Sequence, residues 1–263
     1  MIISIITVTL NDLPNLKKTA ESLIIQSCKA FQWVIKDGFS NDGTEDYVKS
    51  IQVSNELNIS YYREKDNSVY DAMNQAVRYI TGDYVLFLNA GDIFHSKHII
   101  DLTMESMKNS PSYSFFYGDN YDLAPENILI YKKARSISYL KNSLPTSHQA
   151  IFYKTSLFEK YKYPLNYKIC ADYALTAQMY YDGNKTFHYL DFPICIFSLG
   201  GLSQINRKQL LKEGFLVHRN IVKDSLFLSG FKYVKRFFTF FILDKHPRLY
   251  TKVRKFFDMY RKS

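Results

Sequence analysis

Apolar and polar positions alternate in blocks along the first ninety residues. The apolar, β-branched blocks are typical of buried strands, which are predicted at 2–9, 31–36, 59–63 and 84–88. The blocks between them space their apolar residues at helical intervals, so helices are predicted after Asn11 or Asp12, over 44–54 and over 69–80. The resulting order β-α-β-α-β-α-β is typical of an α/β domain with a mostly parallel central sheet and right-handed crossovers.

The remainder of the chain has a less regular pattern. Apolar spacing predicts helices at 98–110 and 172–182, and strands at 114–117, 149–153, 187–190 and 194–197. The order of these elements does not determine a topology.

Charge is distributed unevenly along the 263 residues, whose net charge is +9. Residues 226–263 contain ten Lys or Arg and two Asp, giving +8 and leaving +1 for residues 1–225. The main domain therefore lacks the electrostatic driving force for nucleic-acid binding. The three cysteines (Cys28, Cys170 and Cys195) are too few and too dispersed for a disulfide framework, which favours a cytoplasmic protein. We expect neither a signal peptide nor a membrane-spanning segment.

Polar loops follow the four predicted strands of the first half. They lie at 9–12, 37–44, 64–71 and 89–92, and all are rich in Asp, Asn, Ser and Thr. Because ligands bind beyond the carboxyl ends of parallel strands, we expect the four loops to form one cavity that both Asp37 and Asp92 enter.

Two of these loops contain acidic residues with a specific chemical prediction. Asp92 follows a buried strand, where it could hold Mg²⁺ or Mn²⁺ together with substrate phosphates, and Gly91 would let the backbone approach closely. Asp37 could accept hydrogen bonds from a base or from ribose hydroxyls. The alternatives are that Asp92 caps a turn and that the loop at 37–44 is a turn followed by a helix cap.

Four motifs in this half resemble those of glycosyltransferase family 2. They are TVTLN at 7–11, KDGFSNDGT at 36–44, EKDNSVYDAMNQA at 64–76 and GDYVLFLNAGD at 82–92. They are especially similar to bacterial enzymes that build capsule, exopolysaccharide and lipopolysaccharide. The resemblance implies a GT-A fold, with a Rossmann-like sheet flanked by helices, a divalent cation (Mn²⁺ or Mg²⁺) and inversion at the transferred sugar.

The resemblance also implies roles for individual positions. Donor binding would involve Thr7, Thr9 and Asn11 at the base and ribose, Asp37 at the base, Asp71 near the nucleotide and sugar, and also Asn74 and Asn89. Asp92 would hold the metal. The sequence departs from the family at the usual Asp-x-Asp, whose positions are Asn89 and Gly91, so the donor phosphates must supply much of the metal binding.

The second half contains two further segments of this kind. His148, within 146–150, would lie on the acceptor side, and Asp172, within 168–175, would be the catalytic base. The Glu that often precedes this Asp is Ala171 here. The alternatives are a structural hydrogen bond for His148 and a helix cap for Asp172. A Gly-containing loop at 198–203 could close over the donor.

The last 38 residues are predicted to form a basic amphipathic helical tail. Over 226–243, Lys232, Lys235 and Arg236 oppose an apolar side with Phe238 and Phe241. A second segment at 249–260 also mixes basic and apolar residues. We expect the tail to rest on the anionic inner face of the cell membrane; packing on the domain or in an oligomer is the alternative.

The sequence therefore predicts an inverting glycosyltransferase. Residues 1–225 would form the GT-A domain, with a donor-binding half (1–92) and an acceptor-binding half (93–225), followed by the tail (226–263). The enzyme would move a sugar from a nucleotide-sugar, a UDP-sugar by resemblance, to a glycan or lipid-linked acceptor in surface polysaccharide synthesis. Two alternatives remain open: a sugar-nucleotide pyrophosphorylase-like nucleotidyltransferase, disfavoured because residues 7–15 lack glycine, and a non-catalytic membrane-associated binding module.

Overall fold

A nine-stranded sheet forms the centre of the computed structural model, which describes residues 1–54, 56–198 and 206–245. Its first four strands are β1 (Ile3–Thr9), β2 (Phe31–Asp37), β3 (Asn58–Arg63) and β4 (Tyr84–Phe87). They are parallel in the order β3-β2-β1-β4. The helices between them are α1 (Leu13–Ile24), α2 (Thr44–Ser54) and α3 (Val69–Ala76). These elements lie where the apolar pattern predicts them.

The second half extends the sheet with strands of both directions. They are β5 (Ile93–Phe94), β6 (Phe115–Ala124), β7 (Ile128–Lys132), β8 (Ile151–Lys154) and β9 (Phe187–Ser198). The order continues β4-β8-β6-β9-β5, with β7 beside β6. Only β9 is parallel to its neighbour β6, so the complete sheet is mixed rather than mostly parallel. Helices α4 (Ile99–Asn109) and α5 (Ala171–Tyr181) pack beside it.

Two details of this half differ from the sequence prediction. The strands predicted at 187–190 and 194–197 are one strand, β9, whose register against β6 shifts around Asp119, where Pro193 is its partner. Pro193 interrupts the apolar pattern without ending the strand, because the irregular pairing accommodates it. Strands β5 and β7 are not among the predicted strands. Strand β5 is only two residues long, whereas β7 is an apolar run, Ile-Leu-Ile-Tyr, that is exposed in the structure.

Hydrophobic cores cover both faces of the sheet. All seven residues of β1 are buried. Ile6 and Val8 pack into one core, and Ile3 and Ile5 pack into the other. The same division between two cores occurs in β4, and burial on both faces explains why these two central strands are mostly apolar.

The chain continues through α6 (Arg207–Val217), a π-helical turn (His218–Val222) and α7 (Leu226–Lys245). Helix α7 packs on α6, and Lys232 fixes it further: its Nζ lies 2.6 Å from Asp224 Oδ2 and 2.7 Å from the Lys141 carbonyl oxygen. The predicted tail helix is thus present over Leu226–Lys245, and it contacts the rest of the molecule. The second predicted tail segment, 249–260, lies outside the described residues.

The cationic and apolar sides of α7 face different surroundings. Lys232, Lys235 and Arg236 line a large cleft. The outer side exposes Phe227, Val234, Phe237, Phe238 and Phe241 by 48–85%. Within the described part of the chain, no helix combines the length and the apolar character needed to cross a membrane.

Candidate active site

The large cleft, of about 2410 Å³, opens beyond the carboxyl ends of β1 and β4. Its walls include Asp12 and Asn15 at the start of α1, the loop of residues 89–92, the segment 146–149 and the start of α5. Four residues predicted from the sequence therefore line one cavity: Asn89, Asp92, His148 and Asp172.

The loop of residues 89–92 is folded against α1 by Thr19. The Thr19 hydroxyl donates to the carbonyl oxygen of Asp92 (2.8 Å) and accepts from Gly91 N–H (3.0 Å). Gly91 adopts φ +96°, and a Cβ at this position would lie 3.3 Å from Asn15 Cγ. Glycine satisfies both the left-handed backbone and the close approach, and this places Asp92 at the cleft.

Asp92 is an acid in an environment that disfavours its charge. The residue is 5% exposed, and its Oδ2 accepts a hydrogen bond from Gln149 Nε2 at 2.9 Å. Burial raises the pKa of Asp92 to about 6, while the hydrogen bond from Gln149 and the positive charge of a protonated His148 act in the opposite direction. Binding of a cation or a proton would therefore relieve the unfavourable buried charge of Asp92.

The donor atoms around Asp92 fit a metal that is shared with a substrate. No group of three His, Cys, Asp or Glu side chains able to hold a metal occurs among the described residues. However, Asn89 Oδ1 is buried and has no hydrogen-bond partner in the described structure. One carboxylate and one amide oxygen are the incomplete, hard-oxygen set with which Mg²⁺ and Mn²⁺ bind substrate phosphates.

His148 lies beside Asp172 at the first turn of α5. Its Nδ1 is 3.5 Å from Asp172 Oδ2, and the two side chains are 13% and 20% exposed. The other ring nitrogen, Nε2, is buried without a partner in the described structure. Asp172 Oδ1 accepts from Tyr173 N–H at 2.7 Å, so the carboxylate has one oxygen fixed by the backbone and one facing His148.

The segment that leads into Asp172 is held by Glu213 of α6. The buried Glu213 carboxylate accepts hydrogen bonds from the consecutive N–H groups of Lys168, Ile169 and Cys170 at 2.7–2.8 Å. Burial raises the pKa of Glu213, but hydrogen bonds from Gln209 and the three N–H groups outweigh it and lower the pKa below its usual value. The charged Glu213 carboxylate therefore holds the backbone in place up to Cys170, two residues before Asp172.

Asp37 is absent from the cleft that contains Asp92, in contrast to the sequence prediction. Its carboxylate is fully buried and accepts from Ser40 N–H (2.9 Å), Ser40 hydroxyl (2.6 Å) and Tyr61 hydroxyl (2.6 Å). The Arg63 side chain lies 3.8 Å away. Asp37 is not among the residues that line the cleft, and its hydrogen bonds to Ser40 hold the turn after β2.

Thr7 and Asn74 also lie outside the cleft lining, with their polar atoms bonded internally. The Thr7 hydroxyl donates to the Leu88 carbonyl oxygen and accepts from Trp33 Nε1. The Asn74 amide forms a pair of hydrogen bonds with the backbone of Tyr163 at 2.8 and 2.9 Å. Both residues connect elements of the fold.

The other predicted donor residues do not line this cavity either: Thr9 ends β1, Asn11 lies in the loop that follows, and Asp71 is in the first turn of α3. Asn11 adopts φ +50° and accepts from Asn41 N–H, while its own N–H donates to Ser40. Asp71 accepts from the backbone and side chain of Asn67. The buried Thr9 hydroxyl has no partner in the described structure. Of the predicted loop at 198–203, Ser198 lines the cleft, and residues 199–203 lie outside the described residues.

A comparison with known families decides the identity of the chain. The family model described as "Glycosyl transferase family 2" matches residues 4–162, more than half of the chain. The chain belongs to glycosyl transferase family 2. This glycosyltransferase is 29% identical over 213 residues to the PGL/p-HBAD biosynthesis glycosyltransferase of Mycobacterium tuberculosis, covering 80% of this chain and 82% of the relative.

Solved structures show the same GT-A fold at low sequence identity. Staphylococcus aureus TarS 1–349 in complex with UDP has a TM-score of 0.65 and 17% identity, over 88% of this chain and 68% of that chain. The mannosyltransferase PcManGT of Pyrobaculum calidifontis, in complex with GDP-Man and Mn²⁺, has a TM-score of 0.65 and 15% identity, over 85% of this chain and 64% of that chain. The glycosyltransferase thus spans about two thirds of each solved chain.

Three residues of this glycosyltransferase site were not predicted from the sequence. Gln149 lies in the segment 146–150, next to the predicted site residue His148, so the family-like motif already indicated this part of the chain. Thr19 and Glu213 lie in helices whose sequences do not indicate a partner, because Thr19 contacts residues about 70 positions away and Glu213 contacts residues more than 40 positions away.

We predict that Glu213→Gln lowers turnover by about 10- to 100-fold, because an amide replaces a charged acceptor of three N–H groups, each worth about 1.5–3 kcal/mol. UDP affinity should change less than twofold, since Glu213 does not line the cleft. Steady-state kinetics and calorimetry would measure the two effects, with exposed Glu105→Gln as the control.

A purely structural role for Glu213 would have a different signature. If Glu213 acts by positioning Asp172, adding Glu213→Gln to Asp172→Asn should cause little further loss of turnover. Fully multiplicative losses, or a lower melting temperature with normal turnover, would contradict the positioning role.

Proposed function

We propose that this glycosyltransferase inverts the transferred sugar and uses a UDP-sugar donor and a glycan or lipid-linked acceptor in surface polysaccharide synthesis. The observation that carries the proposal is that Asp92 and Asp172 line one cleft, connected through the adjacent residues Gln149 and His148. One carboxylate suits the donor diphosphate, and the other suits the acceptor hydroxyl. A TarS structure contains UDP, and the mycobacterial relative carries a biosynthetic name, which support the assignment.

In the proposed reaction, Asp172 removes the proton from the acceptor hydroxyl as that oxygen attacks the anomeric carbon. The bond from this carbon to the diphosphate breaks on the opposite face, so a single displacement inverts the configuration. A positioned base contributes about 10²- to 10⁴-fold to such a step. His148, whose Nδ1 lies 3.5 Å from Asp172 Oδ2, orients the carboxylate when it donates a hydrogen bond through Nδ1.

The donor side is proposed to bind the diphosphate at Asn89 and Asp92. A divalent cation held there would neutralise the charge that develops on the departing diphosphate. Asp12 and Asn15 line the same side of the cleft and offer polar groups to the nucleotide. We retain Thr9 and Asp71 as proposed donor residues from their motifs. We propose that Thr7, Asn11, Asp37 and Asn74, whose polar atoms are bonded within the fold, support the donor side indirectly by holding its strands and loops.

The base assignment predicts separate effects on chemistry and donor binding. Asp172→Asn should lower turnover by at least about 10²-fold, because an amide does not accept the proton. The affinity for UDP, measured by calorimetry, should remain within twofold. Asp182→Asn, an exposed change at the other end of α5, is the control. Near-normal turnover of Asp172→Asn would show that another group is the base.

The raised pKa of Asp92 predicts a pH-dependent response to Mn²⁺. A carboxyl whose pKa is about 6 in the fold and 3.8 unfolded stabilises the ligand-free protein below pH 4, and this contribution is lost as the pH rises through 6. Cation binding needs the ionised form, so the thermal shift that Mn²⁺ adds to UDP should grow as the pH rises through about 6.

This test has an internal control in a variant that lacks the charge. Asp92→Asn should abolish the Mn²⁺-dependent part of the thermal shift at every pH, while UDP alone should still stabilise the protein. A Mn²⁺ effect that is unchanged in Asp92→Asn would exclude Asp92 as the metal ligand.

We also propose that the outer side of α7 binds the cytoplasmic face of the membrane. Phe237 and Phe241, 48% and 49% exposed, would enter the interface. Phe237→Ser with Phe241→Ser should weaken binding to phosphatidylglycerol-containing vesicles by at least about tenfold, because each aromatic ring contributes about 1.5–3 kcal/mol when buried.

The control for vesicle binding is Ile25→Ser with Val53→Ser, which removes two exposed apolar residues at α1 and α2. Sedimentation with vesicles would measure the bound fraction. Equal binding by the Phe double variant and the wild type would refute membrane contact through this side of α7.

A further inference from the structure

The cleft is larger than the proposed donor requires. Pockets for small ligands usually enclose about 300–1,000 Å³, whereas this cleft encloses about 2410 Å³. It extends from Asp92 past Asp172 to the residues of α7, with the segment 131–149 forming further lining. The part beyond Asp172 is therefore available to the acceptor.

The lining of this further part is strongly cationic. Some of its cations are compensated, such as Lys232 by Asp224 and Lys132 by Asp122. Five others have no carboxylate oxygen within 4 Å among the described residues. We call these five residues the cationic wall: Arg135, Lys141, Lys168, Lys235 and Arg236.

Five cations without carboxylate partners along one concave surface produce a positive potential that attracts anions. Two of the five are also held in place. The Arg135 guanidinium lies 4.0 Å from the centre of the Tyr139 ring, and Arg236 lies 5.7 Å from that of Phe240. The wall is thus partly organised before a ligand binds.

The cationic wall reaches the residues that lead to the proposed base. Lys168 is four residues before Asp172, and its N–H is bonded to Glu213. Arg236 Nη1 is 3.6 Å from the position a Cβ on Gly214 would occupy, next to Glu213. The wall therefore adjoins the segment that leads to Asp172, and an anion bound on it would lie on the acceptor side of the cleft.

Apolar side chains line the cleft beside these cations. Leu228 and Phe231 of α7 are 40% and 59% exposed, and Phe240 and Ile242 continue this lining. A phosphate ester attached to an apolar chain matches both kinds of surface, whereas a neutral glycan carries no charge to pair with the cations.

We propose that the cationic wall binds a phosphate or diphosphate that joins the acceptor to an apolar chain, so the acceptor is a lipid-phosphate-linked hydroxyl compound. This inference rests on the proposed glycosyl transfer and names the acceptor class for that same site. The phosphate of the acceptor binds the cations of the wall, and the part of its apolar chain next to the phosphate lies along Leu228 and Phe231.

The test uses farnesyl phosphate as the probe, titrated by calorimetry into the full chain saturated with UDP and Mn²⁺. Farnesyl phosphate should bind at least tenfold more tightly than farnesol or inorganic phosphate. Lys168→Gln with Lys235→Gln should weaken it at least tenfold, because two exposed members of the wall lose their charge. Lys208→Gln with Lys212→Gln makes the same charge change on α6 away from the cleft and should change the affinity less than twofold.

Several results would overturn the inference. Equal affinity for inorganic phosphate would show that the apolar chain contributes nothing to binding, and equal affinity for farnesol would show the same of the phosphate. Equal weakening in the control pair would show that the protein attracts the probe through its overall charge and not through the wall. Loss of phosphatidylglycerol vesicle binding in Lys168→Gln with Lys235→Gln would reassign the wall to membrane headgroups. A UDP titration of each variant tests the proposed function separately. If neither the wild type nor any variant binds UDP, the proposed donor site is wrong, whereas normal UDP binding leaves only the acceptor inference to be judged.

Discussion

The hydrogen bonds of Glu213 and Tyr70 connect three parts of the molecule at the segment that leads to Asp172. Three consecutive N–H groups before α5 converge on one buried carboxylate, which leaves them satisfied without a local turn. Tyr70 of α3 donates to the carbonyl oxygen of Ile169 in the same segment at 2.7 Å. Helices α3 and α6 therefore fix the backbone that carries Asp172, and the geometry at Asp172 depends on both being folded.

The two acids of the cleft are given different environments by neighbouring residues of one short segment. Gln149 donates to the buried Asp92, while His148 faces the more exposed Asp172. Burial raises the pKa of Asp92 to about 6, so its ionised form needs a compensating positive charge, which a bound cation would supply. A partly exposed carboxylate beside an imidazole suits proton removal. Separate environments allow one cleft to accommodate the donor and acceptor roles proposed for it.

The sequence predicts the parts of this structure that depend on local pattern. The four parallel strands, their helices and the cleft residues Asn89, Asp92, His148 and Asp172 follow from periodicity, polar loops and family motifs. Contacts between residues that are distant in sequence cannot be predicted in this way. Nothing in the sequence of α6 indicates that Glu213 accepts hydrogen bonds from residues 168–170. The cleft of Asp92 does not include Asp37, because strand position locates a carboxylate at the sheet edge but does not reveal that Ser40 and Tyr61 donate hydrogen bonds to it.

Composition separates the tail at residue 226, but the contacts of α7 join it to the cleft. Lys232 reaches across to the Lys141 carbonyl oxygen, and burial together with the charge of Lys232 lowers the pKa of the adjacent His218 to about 4. A neutral His218 leaves Asp224 available to pair with Lys232. The same helix presents cations to the proposed acceptor end and aromatic rings outward. Docking of α7 at a membrane would therefore act on the acceptor side of the cleft, while the loop at Asp92, held by Thr19 of α1, is independent of it.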